Sequence, residues 1–159
     1  MAPLILMVVT MLLARGLGAA HLLPTTSWID ATWMDATRVG LAIMFLFTAS
    51  AHFTSTRREL IQMVPPLVPG PDLAVTLTGF AEIAGAIGLL IPWLRPWAGS
   101  GLIPLLVAMF PANMHAARAG VTFRGRPATR LRVRLPVQIL WILLLWWSSI
   151  SPIVATMNG

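Results

Sequence analysis

A single carboxylate, Glu82, stands in the middle of a long apolar run, with Gly79 and Gly85 on either side of it. An ionised group in hydrocarbon costs several kcal/mol or more, so it faces protein rather than lipid and is a functional candidate by default. His52 closes another apolar run, Asn113 and His115 close a third, and Gln138 opens a fourth. Two histidines and a carboxylate are the elements of a metal site, and two histidines on different helices could ligate a haem. Neither has a local motif here, such as paired ligands one helical turn apart. A quinone headgroup asks for less: a donor or two in an apolar cleft, which His52, Asn113 and Gln138 supply. The plainer alternative is that these side chains tie helices together, each contributing about 0.6 kcal/mol.

The elements that position these groups are apolar helices. Of the 159 residues, 57% are hydrophobic and 10% charged, which is the composition of an integral membrane protein. Residues 3–23 read as a first transmembrane helix, interrupted by Arg15, and 24–37 as an external loop with Trp28, Asp30, Trp33 and Asp35. A second helix over 38–53 ends at His52. Four prolines between 65 and 71 forbid a continuous helix there, so a short interfacial helix and an extended turn are expected, with no crossing. A third helix over 72–91 has Asp72 placed to cap it and carries Glu82 about ten residues in, ~15 Å deep. Its Ala81/Gly85 and Ala84/Gly88 spacings let a neighbouring backbone approach. A fourth helix over 97–117 contains Pro104 and Pro111, which should kink it or free carbonyls, and a fifth covers 135–154. With that topology His52, Asn113, His115 and Gln138 gather in one leaflet, with Glu82 behind them.

The net charge of +6 is carried by arginine alone, since lysine is absent. Six of the eleven arginines, Arg118, Arg124, Arg126, Arg130, Arg132 and Arg134, crowd into one connection beside apolar helices. That placement reads as membrane headgroup contact on a cytoplasmic loop and not as a nucleic-acid surface. The N-terminus then also lies inside. No cysteine is present, which excludes disulfides, thiolate metal sites and iron–sulfur clusters, so a redox role would have to draw on a bound cofactor or a partner.

His52-Phe53, Met63-Val64-Pro65-Pro66, Gly79 with Glu82 and Gly85, Leu89-Leu90-Ile91-Pro92, Phe110-Pro111-Ala112-Asn113, and Arg134-Leu135-Pro136 with Gln138 together resemble the DoxX family of small bacterial membrane proteins. The resemblance covers about residues 38–148 in order and spacing. It implies a four-helix membrane bundle in the bacterial inner membrane, associated with membrane redox systems, some of them linked to quinone reduction. It supplies no catalytic residue. The expected fold is therefore all-α, a polytopic membrane helical bundle with a four-helix DoxX-like core (38–154) and one added N-terminal helix. The expected function is a non-catalytic accessory or scaffold subunit of a redox-active membrane complex, or of a homo-oligomer. The alternative is a site for quinone or another lipid-soluble small molecule, built on His52, Glu82 and Asn113.

Overall fold

Hydrocarbon offers no water to backbone amides, so an apolar chain satisfies them inside helices. The computed structural model describes residues 2–19, 32–119, 122–123, 126–127 and 130–152, and places most of them in six helices. These are α1 (Ala2–Ala19), α2 (Trp33–Ser50), α3 (Arg57–Met63), α4 (Pro71–Leu90), α5 (Arg95–Ala119) and α6 (Leu131–Leu145). A 3-10 turn (Ala51–Phe53) extends α2, and a π-helical turn (Trp146–Ile150) extends α6. Between α5 and α6, Thr122–Phe123 pairs antiparallel with Arg126–Pro127. Among the described residues, four segments are long and apolar enough to cross a membrane: Trp33–Phe53, Pro71–Leu90, Pro92–Ala119 and Leu131–Ile150. The apolar stretch of α1, Ala2–Gly18, is shorter. The fold is an all-α membrane bundle.

Helices α2, α4, α5 and α6 form an antiparallel ring, and α1 lies along α2. Leu41, Met44, Phe45, Leu89, Leu102 and Leu145 fill its centre. Ile5, Leu13, Leu77, Phe80, Leu143 and Trp146 point outward and stay exposed, an apolar exterior that suits lipid and not water. Close approach depends on missing side chains. A Cβ on Gly85 would lie 2.4 Å from Leu102 Cδ2, and one on Gly88 2.9 Å from Ala98 Cβ, so the small residues of α4 are where α5 packs.

The Pro-rich connection behaves as the prolines dictate. α3 has seven residues, Val64 is extended, and Leu67 at the following turn is 92% exposed. No spanning helix lies between Phe53 and Pro71.

Several boundaries differ from the sequence reading. α2 begins at Trp33, five residues before Arg38. Thr32 and Asp35 cap it reciprocally: the Asp35 amide donates to Thr32 Oγ1 (3.2 Å) and Thr32 Oγ1 donates to Asp35 Oδ2 (2.8 Å). Trp33 and Asp35 are thereby helical and not part of an external loop, whereas Trp28 and Asp30 lie outside the described residues, as do 20–23 of the expected first helix. Asp72 does not cap α4. Gly70, with φ of 64°, takes that position and Pro71 is the first helical residue. α5 runs on through Pro104 and Pro111, and α6 begins at Leu131, which brings Arg132 and Arg134 into its first turn. The remainder of the expected fifth helix, 153–154, lies outside the described residues.

One buried charge group anchors the start of α2 to the end of α6. Pro152 has no amide to offer Ser148, so that carbonyl is orphaned in the helical ladder. Arg38 Nε donates to it at 2.7 Å, while Arg38 Nη1 pairs with Asp35, and Arg95 Nη2 lies 3.6 Å from the same carboxylate. Arg38→Met leaves Asp35 and the Ser148 carbonyl both buried and short of a partner. It should lower stability by about 3–5 kcal/mol, the usual cost of breaking a buried ion pair from one side. A denaturant titration of the purified protein checks this, and an unchanged midpoint would show that the pair is ornamental.

Candidate functional site

Side chains four residues apart share a helix face. Thr48 and His52 form such a pair near the end of the second helix, and Thr78 and Glu82 form one on α4. The two faces meet. A Cβ on Gly79 would sit 2.7 Å from His52 Cβ, so the glycine is what admits the imidazole against the α4 backbone. His52 is buried, with Nδ1 2.6 Å from Val75 O. A carbonyl only accepts, so Nδ1 carries the proton and Nε2 is left facing Glu82. Thr78 Oγ1 also lies 3.3 Å from Nδ1.

Glu82 is 3% exposed. Its Oε2 accepts from Thr48 Oγ1 at 2.8 Å, and its Oε1 is 3.8 Å from His52 Nε2. At that separation the carboxyl and imidazole attract without a direct hydrogen bond. The pair holds together in two protonation patterns, a neutral acid beside a neutral imidazole or a carboxylate beside an imidazolium, both with zero net charge. Arg57 clasps the open end. Its Nη1 donates to His52 O (3.2 Å), and its Nη2 to Asp72 O (3.0 Å) and Thr76 Oγ1 (2.9 Å), binding the 3-10 turn to the first turns of α4.

Asn113 and Gln138 belong to a different joint. Gln138 Nε2 donates to Leu106 O at 2.7 Å, tying α6 to the middle of α5. Asn113 Oδ1 accepts from Arg134 Nη1 at 2.5 Å, linking α5 to α6. His115 is half-buried two residues further on. Among the described residues no hydrogen bond or ion pair connects Asn113, His115 or Gln138 to His52 or Glu82. His52 and Glu82 thus form an α2–α4 joint and Asn113 and Gln138 an α5–α6 joint, with His115 two residues beyond Asn113 on α5. Among the described residues, no three His, Asp or Glu side chains come together as metal ligands.

The arginines divide likewise. Arg118, Arg130 and Arg132 are exposed at the ends of α5 and α6, whereas Arg134 turns inward to Asn113. Arg126 is seen as backbone in the short ladder, and Arg124 lies outside the described residues. On the lipid-facing side a groove of about 350 Å³ runs between α4 and α5, lined by Ala81, Ala84, Gly88, Trp97 and Gly101 among others.

Sequence reasoning misses Thr48 and Thr78, the hydroxyls at the Glu82 joint, and the Asp35–Arg38–Arg95 group at the opposite end. The i, i+4 spacing of Thr48 to His52 and of Thr78 to Glu82 is the signal for the first pair. The Thr32-x-x-Asp35 capping pattern is the signal for the second group.

No curated protein and no solved structure matches this chain. A family model does, over residues 41–149, from within α2 to the π-helical turn, so it takes in both polar joints and leaves α1 outside. The chain belongs to the family described as "Domain of unknown function (DUF8561)".

Proposed function

We propose that this protein is a non-catalytic integral subunit or scaffold of a larger membrane complex. The observation that carries the reading is the closure of Glu82. The one carboxylate in the middle of an apolar helix is buried, with Thr48 on one oxygen and His52 facing the other. Asn113 and Gln138 likewise spend their polar atoms on interhelical ties. Such bonds hold helices in register. A partner's transmembrane helix would meet the α4–α5 groove, where the exposed Ala81, Ala84 and Gly101 allow close backbone approach and Trp97, 76% exposed, stands at the rim. The redox character of that complex rests on the DoxX resemblance.

A second reading has one specific observation behind it. The 3.8 Å gap between His52 Nε2 and Glu82 Oε1 is longer than a hydrogen bond, so the pair can exchange a proton with a third group placed between or beside them. In that reading a quinone or another lipid-soluble carrier uses His52 and Glu82, with Asn113 at a neighbouring joint.

For orientation, the bacterial inner membrane with the N-terminus and the arginine-rich connection in the cytoplasm fits the charge distribution. Arg57, Arg58 and the six loop arginines fall on one side, against Arg38 and Arg95 on the other. A topology reporter fused after Gly125 should read cytoplasmic, and a periplasmic signal would invert the assignment.

Glu82→Gln separates the two functions. It keeps the size of the side chain and its bond from Thr48 but removes the exchangeable proton. A scaffold should assemble with its partners at wild-type levels and support unchanged quinone-dependent activity in its membranes. Full assembly with that activity lost would select the carrier site instead.

A further inference from the structure

The ends of α5 and α6 carry a charge that nothing in those helices neutralises. The sequence has no acidic residue after Glu82, yet seven arginines follow it. Among the described residues, two are engaged internally: Arg95 with Asp35 at the far end of the bundle, and Arg134 with the uncharged oxygen of Asn113. Arg118, Arg130 and Arg132 converge instead on one concavity of about 380 Å³, floored by Ala117 and Leu131. Arg118 comes from the last turn of α5, Arg130 is the residue that begins α6, and Arg132 lies in its first turn. Three guanidinium groups brought to one pocket repel one another, and no acidic side chain in the first turn of α6 offsets them.

We infer that this pocket binds a phosphate group, held by Arg118, Arg130 and Arg132. Guanidinium forks match the paired oxygens of a phosphate, and an anion between them converts mutual repulsion into attraction. Its place at the ends of two membrane-crossing helices puts it at headgroup level, where the phosphodiester of an anionic phospholipid is presented and where Leu131 and Ala117 meet the start of the acyl chains. Free phosphate shares the same chemistry and differs in having no apolar tail to reward. The inference is independent of the scaffold reading, because it concerns a different pair of helix ends, and it holds for either orientation in the membrane.

The test uses the full chain in a neutral detergent, titrated separately with phosphatidylglycerol, phosphatidylcholine and inorganic phosphate, with bound lipid counted by native mass spectrometry and the melting midpoint followed in parallel. Wild type should retain phosphatidylglycerol in preference to phosphatidylcholine, and raising the salt from about 0.1 M to about 0.5 M should erode the preference, because the screening length shortens roughly twofold. Each of Arg118→Gln, Arg130→Gln and Arg132→Gln should lower retention roughly fivefold. Arg58→Gln, an exposed arginine at the same end of the bundle, should leave it unchanged. Stabilisation by inorganic phosphate equal to that by the lipid, and lost in the same three variants, would assign the pocket to free phosphate. Equal retention of the two lipids by wild type, with no response to inorganic phosphate, would overturn the inference. So would an Arg58→Gln loss as large as that of Arg130→Gln, since the charge would then be a diffuse basic face. Circular dichroism reports which of the single variants fold, and any one of the three that does preserves the test.

Discussion

An acid inside an apolar helix has to be solvated by protein, and the α2–α4 half of this bundle is arranged around that requirement. Glu82 takes its partners from the second helix and the turn that extends it, Thr48 and His52, which fixes how the two helices slide against each other. For His52 to reach that depth, α4 must present bare backbone at Gly79, and it does. For the imidazole to keep its Nε2 towards the carboxyl, its other nitrogen must be held, and the Val75 carbonyl holds it. A substitution at any of these positions therefore acts on the others.

The prolines impose a second set of requirements. Each removes an amide donor and strands a carbonyl one turn back, which neighbouring helices have to make good in the absence of water. Arg38 meets this need at Ser148, one turn before Pro152; Gln138 adds a further tie at Leu106 O, whose partner in the helical ladder is the Phe110 amide. These bonds run from α2 to the turn that extends α6 and from α6 to α5, so with the Glu82 joint they tie three of the four edges of the ring, and packing closes the fourth, between α4 and α5. Individually such bonds contribute only about 0.6 kcal/mol in membranes. Close packing, as at Gly85 against Leu102, carries more of the cohesion, and the polar ties choose which register is packed.

Much of this is legible in the amino-acid sequence. Apolar runs mark the four segments long and apolar enough to cross, and the sequence reads a fifth over 3–23, where the apolar stretch of α1 is shorter; the proline run around Pro65 and Pro66 excludes a crossing between α2 and α4. Glu82 and His52 stand out by being ionisable where ionisable groups are costly. What the sequence does not encode locally is which helix faces which. Four of the five polar candidates fall in one leaflet by sequence, with Glu82 behind them, but depth says nothing of azimuth, and the ring places α5 and α6 around Asn113 and Gln138 rather than around Glu82. Asp35 and Arg38 look like loop and helix-end charges, because tryptophan and aspartate are boundary residues by type and mask the Thr32–Asp35 cap. Asp72 is a plausible cap by type, but Gly70 followed by Pro71 starts the helix one step earlier. None of these features names a reaction, and the family the chain belongs to carries no assigned function.

The central claim is that the polar groups inside this bundle are structural ties in a subunit of something larger. Gentle extraction of the protein from its native membranes, followed by measurement of the mass and composition of the intact particle, tests it most directly. The predicted result is a defined complex in which this chain is present in fixed ratio with other membrane proteins. A particle containing this chain alone, with a lipid-soluble carrier bound one per chain, would contradict it.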